Sequence, residues 1–313
     1  MTKTIGIVGA RGYTGAELIK LLATHSQFEL IYVSSRELAG ERVAGQVEGF
    51  DGELRYEELS PDDVAEYGAD VCVLALPNGV SPAFVEAIDT SESDTIIVDL
   101  SSDHRFDDGW TYGQTERFRD RIREATRISN PGCYATGMQL GLAPVVDWAI
   151  APPQVFGVSG YSGAGTTPSP KNDTELLADN LIPYRLTGHT HEREVTRHLG
   201  HQIHFSPHVA PFFRGITLTI SVQLGRPKTL AKIRERFEER YADEALVEVV
   251  EDVPLVKDNA GEHGVRIGGL SVDEAGEHLV FVVTLDNLLK GAATQALQNA
   301  NWACGFDELE GIQ

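Results

Sequence analysis

The chain opens on a short apolar run that ends in a glycine turn, "TIGIVGARGYTG" (residues 4–15), and continues at once into "AELIKLLATH" (residues 16–25). That is a strand, a turn of the form G-x-x-G-x-x-G, and a helix with apolar residues at three- and four-residue spacing. Glycines let such a turn bend tightly. They also let the backbone approach an anion at the helix N-terminus, where N–H groups and the dipole favour negative charge. A glycine turn alone is a weak signal. Between a strand and a helix it has the context that a dinucleotide pyrophosphate requires, and it nominates Gly9, Gly12 and Gly15 as cofactor-binding residues.

The same rhythm continues through the first 130 residues or so. "ELIYVSS", "DVCVLALP" and "TIIVDLS" read as strands, with a helical "VSPAFVEAID" between the last two. Alternating strands and helices predict an α/β, Rossmann-type, doubly wound parallel sheet over residues 1–132. After residue 132 the pattern changes. "GITLTISVQL" and "EHLVFVVTLD" alternate apolar and polar residues like a more antiparallel sheet, and "TLAKIRERFEERYAD" reads as a charged amphipathic helix. This predicts an α+β catalytic and dimerisation domain over residues 133–284. The small-residue-rich segment 285–313 is expected to return and complete the first domain.

With 313 residues, 42% of them hydrophobic, the chain suits two cores better than one. A net charge of −21 argues against nucleic acid or an anionic membrane as partner. It also means that a phosphorylated substrate would need a local positive site. The apolar runs are strand-sized and the first residues lead straight into a strand, so a cytoplasmic protein is expected.

The second strand ends at Ser34-Ser35-Arg36, where NAD sites usually carry an acid for the ribose hydroxyls. An arginine flanked by hydroxyls suits a 2′-phosphate, so Ser35 and Arg36 point to NADP(H). The adjacent Glu37 would suit NAD instead, and a solvated loop arginine is the plain alternative.

Three cysteines, Cys72, Cys133 and Cys304, lie far apart with no CxxC spacing, which suggests neither a zinc site nor a disulfide scaffold. Cys133 in "SNPGCYATGMQL" follows Pro-Gly and begins a helix, a position that favours the thiolate, the nucleophile for an acyl carbon. The competing reading is a small residue buried in a turn. "GHTHEREV" supplies His189, His191 and Glu194, with Glu194 one helical turn after His191 and so able to orient it. A solvated helix start would look the same. His-x-His also suits a metal, but no third ligand is evident and thioester chemistry needs none, so no metal is expected. Arg105 in "DLSSDHRF" and Arg214 in "FFRGI" are candidate anion-binding forks for the substrate.

Taken together, "GARGYTGAEL", "SNPGCYAT", "SGYSGAGTTPSPKND", "HTHERE", "PHVAPFFRGI" and "DNLLKGAATQA" resemble, in order, the signature segments of the N-acetyl-gamma-glutamyl-phosphate reductases, within the aspartate-semialdehyde dehydrogenase group. The resemblance implies that Cys133 is the nucleophile and His191 the general acid/base, with His189 and Glu194 binding or orienting. It implies an NADP site at Gly9, Gly12, Tyr13, Thr14, Gly15, Ser35 and Arg36. It places the loop of Ser162 and Gly163 near the nicotinamide and substrate, and counts Asn287 among the cofactor-binding residues. Arg11 departs from the family, where serine is usual. The implied reaction is NADPH-dependent reduction of an acyl phosphate to a semialdehyde in arginine biosynthesis, by a homo-oligomer, dimer or tetramer. A sister reductase of aspartyl phosphate or of a carrier-bound aminoadipyl or glutamyl phosphate, a non-enzymatic NADP-binding protein and a Cys-His hydrolase are the alternatives.

Overall fold

The computed structural model describes residues 2–312; Met1 and Gln313, the outermost residues of the expected domain ranges, lie outside the described residues. The chain forms two compact units, Met1–Gly132 with Ala292–Gln313, and Cys133–Gly291. Among the described residues no helix is long and apolar enough to cross a membrane.

The first unit is built on seven strands: β1 (Lys3–Val8), β2 (Phe28–Ser34), β3 (Tyr56–Glu57), β4 (Val71–Leu74), β5 (Ile96–Asp99), β6 (Thr111–Tyr112) and β7 (Arg127–Ser129). They lie in the order β3-β2-β1-β4-β5-β7-β6, and every pair is parallel. Because helices cover both faces of such a sheet, the central strands are mostly apolar, and all of β4 and β5 is buried, Asp99 at the end of β5 included. Alternate residues feed two cores: Ile5, Val71, Val73, Ile96 and Val98 on one face, Val8, Cys72, Leu74 and Ile97 on the other.

The helices of this unit are α1 (Tyr13–Ala23), α2 (Pro61–Tyr67), α3 (Ser81–Thr90), α4 (Thr115–Arg123) and the C-terminal helix Thr294–Cys304. Their ends follow local chemistry. Ser60 and Asp63 form a capping box with Pro61 at the first position of α2, and Gly68 closes the helix at φ 61°. The C-terminal helix is buried from Thr294 to Asn301 although five of those eight residues are polar. Most of its amide groups are bonded, as burial demands, but Gln295 Oε1 accepts no hydrogen bond among the described residues. Asn299 donates to the Gly113 carbonyl and to Asn130 Oδ1, both at 2.9 Å, and Gln295 donates to Thr115 Oγ1 at 2.6 Å.

The second unit contains α5 (Cys133–Leu142), β8 (Gln154–Gly160), α6 (Thr174–Leu177), β9 (Ile182–Pro183), α7 (Thr190–Leu199), β10 (His204–Ala210), β11 (Ile216–Gln223), α8 (Leu230–Tyr241), β12 (Val247–Val249), β13 (Val265–Val272) and β14 (His278–Leu285). Its sheet runs β12-β13-β14-β11-β8-β10-β9. It is mixed: β13-β14-β11-β8 is antiparallel, while β8 pairs with β10, and β12 with β13, in parallel. The alternation in "ITLTISVQ" puts Ile216, Leu218, Ile220 and Val222 on the buried face. There they meet α5, whose residues Tyr134 to Leu142 are all buried, and the apolar stripe of α8, Ile233, Phe237 and Tyr241. A helix buried all round, as α5 is after its first residue, Cys133, belongs in such a core.

Candidate active site

In the first unit the strand order reverses between β1 and β4, the switch point where doubly wound sheets bind ligands. The glycine turn lies there. Gly9 has φ 84°, and a Cβ on it would stand 2.3 Å from the Ala75 carbonyl oxygen at the end of β4, so only glycine fits. A Cβ on Gly15 would stand 2.6 Å from Ala10 Cα, which holds α1 close against the turn. Gly12 is the N-cap of α1 and offers no side-chain cap, and Tyr13, Thr14 and Gly15 form the first turn at the positive end of the helix dipole. These residues fit a dinucleotide pyrophosphate.

The turn is tied to β2: Gly9 N and Ala10 N both donate to the Ser34 carbonyl, at 3.1 and 3.0 Å. Ser35 is buried; its N–H donates to the Glu57 carbonyl at 2.8 Å and its Oγ accepts from Leu38 N at 3.3 Å. Arg36 projects from that fixed turn, exposed, with no carboxylate within ion-pair distance among the described residues. Glu37 meets Arg11, whose Nε lies 3.6 Å from Glu37 Oε2.

Arg105 is buried, and part of its fork is committed to the main chain. Nε donates to the Asn130 carbonyl at 2.9 Å and Nη2 to the Leu100 carbonyl at 2.7 Å. It therefore staples the segment just ahead of Cys133. Its neighbour His104, which the sequence did not single out, places Nδ1 2.7 Å from the fully buried Asp99 and stacks on Trp110.

In the second unit Cys133 is half-buried at the first turn of α5. A Cβ on Gly291 would fall 2.7 Å from Cys133 Cβ, so the chain passes there as close as glycine allows. Gly291 belongs to a π-helical turn, Leu289–Ala293, and donates to the Asp286 carbonyl at 2.9 Å. Such turns concentrate at functional sites. The other thiols differ: burial pushes Cys72 up to about 12 and Cys304 likewise to about 12. Neither forms a thiolate near neutral pH.

Tyr134 connects α5 to α7. Its hydroxyl donates to the His208 carbonyl at 2.7 Å, and its ring lies 6.0 Å from the His191 ring, centre to centre. The His189 and His191 rings are 4.8 Å apart. His189 is the N-cap of α7 and accepts from His191 N at its Nδ1, 3.1 Å away. Its proton therefore sits on Nε2. Burial first, then the charges of His191, Arg185 and Lys171, press its pKa down to about 3. His189 is thus a neutral donor, and the metal reading of His-x-His loses one of its ring nitrogens. Glu194 is fully buried, on the face of α7 that carries His191. Glu192 is structural, accepting from Gly188 N at 3.1 Å and Phe205 N at 2.9 Å.

Arg214 grips Asp286 with two bonds, Nε to Oδ2 at 2.5 Å and Nη2 to Oδ1 at 3.0 Å. Asp286 is fully buried and also accepts from Gly261, Leu288 and Leu289 N–H groups, at 2.7, 2.8 and 3.0 Å. Asn287 accepts from Gly215 N at 2.7 Å and donates to Ser162 Oγ at 2.9 Å. Arg214, Asn287, Ser162 and the adjoining Gly163 therefore form one framework, and it leads through Gly291 to Cys133.

Sequence reasoning missed the residues that gather around this centre. Tyr184 is raised by burial first and then by the charge of Cys133, and its ring lies 5.6 Å from His189. Lys171 Nζ stands 5.0 Å over the Tyr184 ring. Arg185 follows with φ 41°, a left-handed conformation that arginine adopts only when its surroundings impose it. Lys171 and Arg185 have no carboxylate partner among the described residues, an island of positive charge in a chain of net −21. Only tertiary structure places them beside His189.

The family model "Semialdehyde dehydrogenase, NAD binding domain" matches residues 4–125, and "Semialdehyde dehydrogenase, dimerisation domain" matches residues 133–287. An N-acetyl-gamma-glutamyl-phosphate reductase of Xanthomonas campestris pv. campestris (strain B100) is 59% identical over 309 residues, 99% of this chain and 98% of the relative. Among solved structures, an aspartate semialdehyde dehydrogenase II of Vibrio cholerae superposes with a TM-score of 0.80 at 17% identity, over 97% of this chain and 99% of that one. The Candida albicans aspartate semialdehyde dehydrogenase, solved with NADP, gives 0.76 at 17% identity, over 96% and 98%. At such low identity these last two speak for the fold.

Proposed function

This chain belongs to the N-acetyl-gamma-glutamyl-phosphate reductase family of semialdehyde dehydrogenases, and from that premise we propose that it reduces N-acetyl-gamma-glutamyl phosphate to the semialdehyde and phosphate in arginine biosynthesis, with NADPH as reductant. The observation that carries the reading is the placement of Cys133: first residue of a buried ten-residue helix, packed against Gly291, with Tyr134 bridging to His191.

The Cys133 thiolate, favoured by the positive end of α5, attacks the γ-acyl carbon. The C–O bond to phosphate breaks, phosphate leaves with the electron pair, and a thioester forms on Sγ. Backbone N–H groups at the start of α5 steady the negative oxygen that develops as the carbonyl becomes tetrahedral. A bound nicotinamide cofactor supplies the hydride for the thioester carbonyl. His191 provides the proton that accompanies collapse to aldehyde and regenerated thiol, with Glu194 orienting the imidazole. His189, neutral and with its donor on Nε2, binds substrate oxygens rather than exchanging protons. Lys171 and Arg185 supply the local positive field that an anionic substrate needs.

The glycine turn and α1 hold the cofactor pyrophosphate, and Arg36 with Ser35 holds the 2′-phosphate of NADPH. Arg214, tied to Asp286, positions the framework of the second unit, and Arg105, tied to main-chain carbonyls, holds the segment of the first unit that runs towards Cys133. The protein works in the cytoplasm as a homo-oligomer assembled through the second unit. Its partly open sheet face, with Phe156 43% exposed and Val280 and Val282 half-buried, fits that role.

The reverse assay tests the reading. Supplied with N-acetylglutamate semialdehyde, phosphate and NADP+, the protein should produce NADPH, followed by its absorbance. With aspartate semialdehyde in its place the rate should be negligible. Equal or faster turnover of aspartate semialdehyde would overturn the substrate assignment.

A further inference from the structure

We propose that Arg11 selects the cofactor, by neutralising Glu37 so that Arg36 meets the 2′-phosphate unopposed. This inference rests on the reading that NADPH is the cofactor and adds a residue to it.

An acid near the end of the second strand is what an NAD site uses to accept from the ribose hydroxyls, and the same charge repels a 2′-phosphate. The end of β2 carries both signs side by side: Arg36 for the phosphate, Glu37 against it. Left alone, the two charges would nearly cancel where the 2′ substituent lies. The turn that carries Arg11 is fixed against this place, because Gly9 N and Ala10 N donate to the Ser34 carbonyl. The Ser35 bonds to Glu57 and Leu38 keep residues 35–38 in one conformation. Within that frame Arg11 Nε lies 3.6 Å from Glu37 Oε2.

Arg11 is thus the third charge of a row, and the sum becomes +1 where Arg36 and Glu37 alone give zero. The side chains of Arg11 and Glu37 are 40% and 52% exposed, so the pair contributes little to folding. Its effect on a dianionic ligand is of another kind. It removes a repulsive neighbour and adds a second guanidinium within reach, and both changes act on NADPH while leaving NADH nearly untouched. The glycine turn does not require arginine at position 11 for its geometry. Its conformational demands fall on Gly9 and Gly15.

The test is equilibrium binding of NADPH and NADH to the full chain, followed by nicotinamide fluorescence, for the wild type, Arg11→Ser, Glu37→Gln and the double variant. Arg11→Ser should weaken NADPH about threefold to tenfold and change NADH by less than about twofold. In the Arg11→Ser background, Glu37→Gln should return NADPH affinity to within about twofold of wild type, a coupling that a double-mutant cycle reads directly. Arg11→Lys, which keeps the charge, should stay close to wild type, and the selectivity should fall with added salt. Unchanged NADPH affinity in Arg11→Ser, equal weakening of both cofactors, or no recovery in the double variant would overturn the assignment while the NADPH reading stands. A wild type that binds NADH as tightly as NADPH would overturn that reading, and this inference with it.

Discussion

Gly291 and Cys133 approach so closely that a single added methyl at Gly291 would lie 2.7 Å from Cys133 Cβ and 3.1 Å from the Asp286 carbonyl oxygen. The candidate nucleophile is therefore held between its own helix and a π-helical turn that follows closely on Asp286 and Asn287. Its position is set from both sides.

That relationship predicts the behaviour of Gly291→Ala. Overpacking a fixed site typically destabilises by about 1–3 kcal/mol, so the variant should still fold. The displaced thiol should lose far more in turnover, about a hundredfold, as small misplacements at a reacting centre do. Steady-state rates beside a melting curve check this. A variant with lowered Tm and near-normal kcat would show that Cys133 tolerates movement.

The two histidines should divide the work. His191→Asn should reduce kcat by about 10²–10⁴-fold, the usual contribution of a general acid or base, with NADPH affinity unchanged. His189→Asn should mainly raise KM, because asparagine can still cap α7 while the Nε2–H donor is lost. Since His189 is held at about 3, its replacement should leave the shape of the pH–rate profile between pH 6 and 9 (about the range of an imidazole or thiol) unaltered. Removal of His191 should abolish one limb. A profile altered by His189→Asn and not by His191→Asn would reverse the assignment.

The depth to which these residues were legible in the sequence varied with the range of the interaction. The glycine turn could be read because strand, turn and helix are neighbours in the chain and Gly15 serves a local contact, with Ala10; that Gly9 packs against Ala75 at the end of β4 depends on the sheet order. Cys133 and "HTHERE" were legible as motifs, and the helix start at Cys133 from Pro-Gly before it. Arg214 and Arg105 were picked out as charged residues near strand ends. That part of their forks is taken up by Asp286 and by the Asn130 and Leu100 carbonyls depends on partners up to 72 residues away. Lys171, Tyr184 and Arg185 lie in a loop with no periodic pattern, and only the packing of that loop brings them to His189. The second sheet read as more antiparallel, and most of its pairs are; alternation reports one buried face and is blind to strand direction, so the parallel pairing of β8 with β10, which comes from the crossover through α7, was not legible.

Acid should destabilise the first unit through His25. Its Nδ1 accepts from Gln27 N and Phe28 N, at 3.2 and 3.0 Å, and its Nε2 donates to Asn301 Oδ1 at 3.0 Å. Burial lowers its pKa below 6.5, against the smaller raising effects of Asn301 and Glu310. Below pH 6.5 the unfolded chain takes up a proton that the folded ring refuses, so stability present above 6.5 declines as the pH drops under it. His25→Gln should show a lower Tm at pH 7.5 but a smaller further loss between pH 6.5 and pH 5 (about one to two units below an ordinary imidazole). Parallel Tm-versus-pH curves for the two proteins would contradict this role.

Leaving out the reductant shows whether catalysis passes through an acyl group on Cys133. Wild-type protein mixed with N-acetyl-gamma-glutamyl phosphate and no NADPH should release phosphate in a burst of about one equivalent per chain, as an accumulating acyl-enzyme does. Rapid quenching at low pH and intact-protein mass spectrometry should find the acyl adduct, and peptide mapping should place it on Cys133. Cys72 and Cys304, both held at about 12 by burial, should carry none, and Cys133→Ala should show neither burst nor adduct. A burst without an adduct, an adduct on another residue, or reductase activity retained in Cys133→Ala would contradict the account.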